Sequence, residues 1–235
     1  LLYLVSLLAV WSSAWVGGRL RAWRRGVTVG GREDFTFILG GTLTLLGLII
    51  GFTFSMAVGR YDQRKNYEEQ EANAIGTEYV RADLLPPAAA AKVRGLLRSY
   101  LDQRTLHYLT RDEQRLRQID AETARLQGEL WSAVAQHASS QPTPVAALVV
   151  WGMNDVLNSQ GYAQAAWWNR IPVGAWTLLI AIAIFCNGLI GYAAREGRAS
   201  FYLVLPLALS TTLLLIADID SPRGGVIHVR PQNLE

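Results

Sequence analysis

The chain has 235 residues, of which 51% are hydrophobic and 17% charged, with a mean hydropathy of +0.16. Its net charge of +3 comes from basic residues interspersed with acidic ones rather than gathered in a stripe, a pattern that argues against nucleic-acid binding. The single cysteine, Cys186, excludes a disulfide framework and a thiolate metal site.

Apolar residues concentrate at Leu1 to Val16, Phe35 to Val58, Ile171 to Ala193 and Phe201 to Ala217, while Arg60 to Arg170 has the charge density of a soluble protein. This distribution predicts an all-α membrane protein of four transmembrane helices, with an extramembrane helical bundle inserted between the second and third. The division is 1–59 for the first two spans, 60–170 for the helical domain, 171–220 for the last two spans and 221–235 for a C-terminal tail.

The first run is short and ends at Gly17-Gly18. A cleaved signal peptide is the rival reading, although a positive leading region and a small-residue cleavage site are not visible. Trp11, Trp15, Trp23, Trp167, Trp168 and Trp176 lie at or near predicted span ends, where amphipathic rings anchor at the interface. Orientation is balanced. Arg19, Arg21, Arg24, Arg25 and Arg32 in one short loop and Arg195 and Arg198 in another face a comparable set on the opposite side, Arg60, Arg64, Lys65, Arg170, Arg223 and Arg230.

The second run continues without a breaker from Phe35 through charged sequence to Pro86-Pro87. A helix from Phe35 to Leu85 would be on the order of 75 Å long, more than twice a hydrocarbon core of about 30 Å. Within it Gly40, Thr44, Gly47, Gly51 and Ser55 fall at spacings of three and four, a small-residue face suited to close helix packing. The adjacent face presents Leu45, Leu48, Phe52 and Met56. Beyond the membrane, Glu68, Glu69 and Glu71 among Arg64 and Lys65 read as a solvated or subunit-contacting face.

In the helical domain, Val93, Leu96, Leu97, Tyr100 and Leu101 form a stripe opposite Arg94, Arg98 and Asp102. Thr110 and Glu113 have capping-box spacing and predict the start of the next helix, whose packed face is Leu116, Ile119, Leu126, Leu130 and Val134. Thr143-Pro144 reads as an N-cap followed by proline at the first helical position, opening a helix to about Asn169 that bends at Pro172.

The chemistry of an enzyme needs a constellation, and His107, His137 and His228 are far apart, reading as surface residues; phosphate loops and nucleophile elbows are absent. No cofactor is called for. Asp218 and Asp220, before a proline and two glycines, are the candidate oxygen ligands for a hard cation, fewer than a calcium site usually needs, and the alternative is a packed turn with Arg223 as counter-ion.

The stretch LGLIIGFTFSMAVGRYDQRKNYEEQEANAIGTEYVRADLLP, with the C-terminal LLIADIDSPRGGVIHV, resembles the bestrophin-like family of bacterial membrane proteins, a family without an established biochemical role. The resemblance covers most of the chain from about Phe35 onward, and a more distant similarity runs to the bestrophin anion channels. It implies a multi-pass protein of the bacterial inner membrane, a homopentamer that conducts inorganic ions, with the second helix lining the pore. By position Phe52 would be a neck residue, with Leu48 and Thr44 one and two turns away on the same face. Two of these three are not aromatic; an aromatic edge can face a dehydrated anion, whereas leucine offers an apolar gate. The non-catalytic alternative is a membrane-anchored sensor or scaffold whose helical domain binds a partner.

Overall fold

The computed structural model describes residues 2–23, 29–193 and 201–235. Seven α-helices and one 3₁₀ turn follow in order among them: α1 (Leu2–Trp23), α2 (Val29–Arg81), the turn at Ala82–Leu84, α3 (Pro87–Leu109), α4 (Glu113–Ser140), α5 (Pro144–Trp168), α6 (Val173–Ala193) and α7 (Phe201–Asp220). The fold is all-helical, and three segments are long and apolar enough to cross a membrane: Asp34–Leu84, Pro144–Ala193 and Leu203–Asp220. Two compact units emerge, one of Leu1–Gly59 with Arg170–Ser221, the other of Arg60–Asn169 with Pro222–Glu235.

In the first unit α1 packs on α6 and α7. It does not stop at Gly17-Gly18. Gly17 lies against the backbone of Gly188, and Gly191 against that of Ala14, so closely that an added Cβ would overlap backbone atoms. The glycines are contact points inside a helix rather than its end. Ser13 Oγ donates to the Ile184 carbonyl at 2.5 Å and Arg21 Nη1 to the Ala193 carbonyl at 2.9 Å, fixing the two helices parallel in register. Arg19 and Arg21 are therefore helical rather than loop residues; Arg24, Arg25, Arg195 and Arg198 lie outside the described residues.

α2 meets α6 through Phe35 and Tyr192, ring centroids 5.5 Å apart, and through Cys186, whose thiol approaches the Thr42 carbonyl at 3.4 Å. α2 begins earlier and ends sooner than the sequence predicts. The chain tightens into the 3₁₀ turn ahead of Pro86-Pro87, because the residue before a proline is driven to extended backbone, as Leu85 is at φ −89°, ψ 158°.

The second unit is closed by α3, α4 and α5 around Val93, Leu97, Tyr100, Leu130, Met153 and Val156, all fully buried or nearly so. Thr143 caps α5 by accepting from the Ala146 amide at 3.0 Å, with Pro144 in the first turn. α4 is capped differently from the expectation. Asp112 accepts from the Arg115 amide at 2.7 Å, and Thr110 instead ends α3. A carboxylate beside the positive end of the helix adds a charge term that threonine lacks. Trp167, expected as an interface anchor, is buried, whereas Trp168 is 74% exposed.

Candidate functional site

Along the apolar part of α2, Leu46, Thr53 and Ala57 are the buried residues, at 2%, 2% and 0% exposure. Their spacings of seven and four put them on one narrow stripe. Gly40, Thr44, Leu45, Gly47, Leu48, Gly51, Phe52, Ser55 and Met56 are all exposed. At about 100° per residue they sweep a contiguous half of the helix circumference away from that stripe. An added Cβ at Gly40, Gly47 or Gly51 meets nothing within 4 Å. Phe52 is 61% exposed and Leu48 53%, so large apolar side chains stand free beside a smooth glycine strip. Water would make this surface costly; a membrane or a second chain would cover it.

The charged half of α2 inverts the expected pattern. Arg64, Glu68, Glu71, Ile75, Glu78 and Ala82 recur at helical spacing and are all buried, so the inward stripe is mostly ionic. The solvated-face expectation is thus corrected for Arg64, Glu68 and Glu71, while Glu69 is exposed. Burial is tolerated because partners converge. Arg104 of α3 grips Glu71 through Nε and through Nη2 at 3.4 Å, and the Tyr108 hydroxyl donates to Glu71 Oε2 at 3.0 Å. Glu68 accepts from the Asn233 amide at 2.9 Å and from its side chain at 2.7 Å.

Burial by itself would lower the Arg104 pKa, but the Glu71 carboxylate more than offsets it, so Arg104 stays charged. Burial and the same carboxylate push the Tyr108 hydroxyl up. Sequence periodicity did not reveal these residues as core, because hydrophobic-face counting assigns every charge to water.

His107 is a further correction, since it is 1% exposed. Its Nδ1 lies 2.9 Å from Asp120 Oδ1 and its Nε2 lies 2.7 Å from Arg223 Nη2. Arginine only donates, so Nε2 accepts and Nδ1 carries the proton toward Asp120. Burial, reinforced by Arg104 and Arg223, lowers the imidazole pKa to about 3. Arg223 also stacks on Trp167 at 4.3 Å, which explains why that tryptophan is inside.

Glu78 stands apart. Its side chain is fully buried, yet among the described residues neither oxygen has a hydrogen-bond partner. Arg81 of the same helix lies 4.0 Å away, and Gly152 of α5 packs directly against the carboxylate. Burial raises its pKa to about 7, with Arg81 opposing and Asp155 adding to the rise.

Asp218 and Asp220 end α7. Asp220 is engaged by the Ile171 amide at 3.0 Å, a structural role that ties the start of one helix to the end of another. Among the described residues no cluster of three or more metal-ligating side chains forms.

The family profile of the bestrophin-like domain matches residues 2–234. The chain belongs to the bestrophin-like family. Its fold is similar to that of a bacterial bestrophin homologue from Klebsiella pneumoniae, at 15% identity and a TM-score of 0.68, covering 98% of this chain and 93% of that one. A single-site variant of the Klebsiella pneumoniae protein gives 17% identity and 0.67 over the same shares, and a structure described as a membrane protein variant gives 15% and 0.69, again over 98% and 93%. No curated protein matches. With its apolar helices, this bestrophin-like chain is a membrane protein.

Proposed function

We propose that the chain is one subunit of a multi-pass, homo-oligomeric ion channel of the bacterial inner membrane, with the exposed half of α2 around the conducting axis. The observation that carries this is the free arc from Gly40 to Met56, which finds no cover among the described residues of its own chain. The glycine strip of Gly40, Gly47, Gly51 and Ser55 receives the neighbouring subunit's helix, since small residues let backbones approach. Thr44, Leu45, Leu48, Phe52 and Met56 then face the axis as an apolar constriction that gates by excluding water. In this reading α1, α2, α6 and α7 span the bilayer, residues 60–170 stand outside it, and the subunit number is five, after the bestrophin channels the sequence resembles.

The test is single-channel recording of the purified protein in planar bilayers. Phe52→Ala widens the constriction, and conductance or open probability rises relative to the parent chain; reproducible silence of both proteins overturns the reading. A second reading draws on Trp131, Leu148, Trp151 and Tyr162, large side chains exposed on the second unit. They suit a scaffold whose helical unit binds a partner, and capture of a partner by a silent protein favours it.

A further inference from the structure

A crevice of 440 Å³ opens between α1, α6 and α7. Its walls are apolar, supplied by Ala9, Val10, Ile180, Ala183 and Leu213, and the polar groups Arg170, Asp220 and Ser221 gather on its lining together with Trp176. Such a volume falls in the range of about 300–1,000 Å³ typical of small-ligand sites. The walls offer a ligand almost nothing to hydrogen-bond.

The polar residues are not equivalent. Asp220 is buried and its carboxylate receives the Ile171 amide at 3.0 and 3.3 Å. Arg170 is exposed, and among the described residues it enters no ion pair. A planar guanidinium with five donors and no acceptor suits phosphate oxygens. Trp176 is an amphipathic ring of the kind that settles at headgroup depth. An apolar slot with one free cation at its polar residues is complementary to a molecule with a long hydrocarbon tail and an anionic phosphate head.

We propose that this crevice is a specific binding site for an anionic phospholipid, its acyl chain lying between α1, α6 and α7 and its phosphate on Arg170. The site rests on the membrane placement of the unit formed by residues 1–59 and 170–221, and is independent of conduction. Ala183, 1% exposed on the crevice wall, leaves room that a larger side chain would take from the lipid.

The full chain, reconstituted in phosphatidylcholine vesicles containing phosphatidylglycerol and re-extracted in detergent, is weighed by native mass spectrometry. Retention of phosphatidylglycerol in preference to phosphatidylcholine is expected. Arg170→Gln lowers that retention about fivefold, the worth of one arginine near a charged lipid surface, and Ala183→Phe abolishes it for both lipids. Should Ala183→Phe fail to fold, Val5→Trp, placed from the exposed rim of the crevice, blocks the same space. Retention that is absent, or indifferent to all three substitutions, overturns the site. So does efficient cross-linking of Ala9→Cys between chains, which would mean that a second copy covers the crevice. Resistance of the chain to alkaline extraction from vesicles, scored in parallel, separates failure of the lipid site from failure of the membrane placement.

Discussion

At residue scale the buried ionic stripe sets the sharpest expectations. Arg104→Met leaves Glu71 charged where water does not reach, and costs about 3–5 kcal/mol, read as a lowered unfolding midpoint in detergent. Adding Glu71→Leu recovers the larger part, because the orphaned charge is gone. Glu78 and His107 make stability depend on pH with opposite signs. The Glu78 pKa is raised from 4.5 to about 7, so its contribution is complete below 4.5 and is lost as pH rises through 7. The His107 pKa is lowered from 6.5 to about 3, so its contribution is complete above 6.5 and is lost as pH falls toward 3. The two slopes oppose one another across the middle of the range. Glu78→Gln removes one of them, and the thermal midpoint of that variant climbs with pH up to about 6.5 and then levels, instead of falling toward neutrality. None of this was legible in sequence, because residue type alone places glutamate and histidine at the surface; Arg104, Tyr108, Arg223 and Asn233 converge from other segments on Glu71, His107 and Glu68, while Glu78 is buried without such partners among the described residues.

At the scale of elements, glycine has two different uses here, and substitutions separate them. Gly191 meets the Ala14 backbone and Gly17 meets that of Gly188, so Gly191→Leu forces α1 from α6 and destabilises the protein by about 1–3 kcal/mol or more. A Cβ added at Gly51 meets nothing within 4 Å among the described residues outside its own helix backbone. Gly51→Ala leaves the melting of the isolated subunit unchanged while weakening assembly, which sedimentation in detergent reads as a shift toward smaller species; unchanged sedimentation would count against a helix contact on that face. That α2 runs as one long helix out of the apolar stretch was readable from its unbroken sequence. The α1–α6 crossing was not, since Gly17-Gly18 looks like a helix end until a partner with glycines at matching heights is in view. Thr143-Pro144 announced α5 correctly because both signals act within one turn, whereas Thr110 is taken up in ending α3 and leaves the cap of α4 to Asp112.

At the scale of the whole molecule, the chain returns at its C-terminus to the unit that α2 enters. Val229 and Leu234, each 4% exposed, join the core built by α3, α4 and α5, and Asn233 gives Glu68 both a backbone and a side-chain donor. The C-terminal tail thus belongs to the second unit, its hydrophobic pair too sparse to show a period in sequence. Two effects compete when it is altered. Loss of Leu234 removes apolar burial worth about 1.5–3 kcal/mol, whereas loss of the Asn233 side chain leaves one carboxylate oxygen short of a donor at about 1–3 kcal/mol. Asn233→Leu and Leu234→Ala therefore each lower the unfolding midpoint, but only the first is relieved by Glu68→Gln, whose neutral amide needs no donor to compensate a charge. A double-variant cycle measured by thermal unfolding in detergent gives coupling between positions 68 and 233 and none between 68 and 234, if the tail is held by the carboxylate and by the core as two separate attachments.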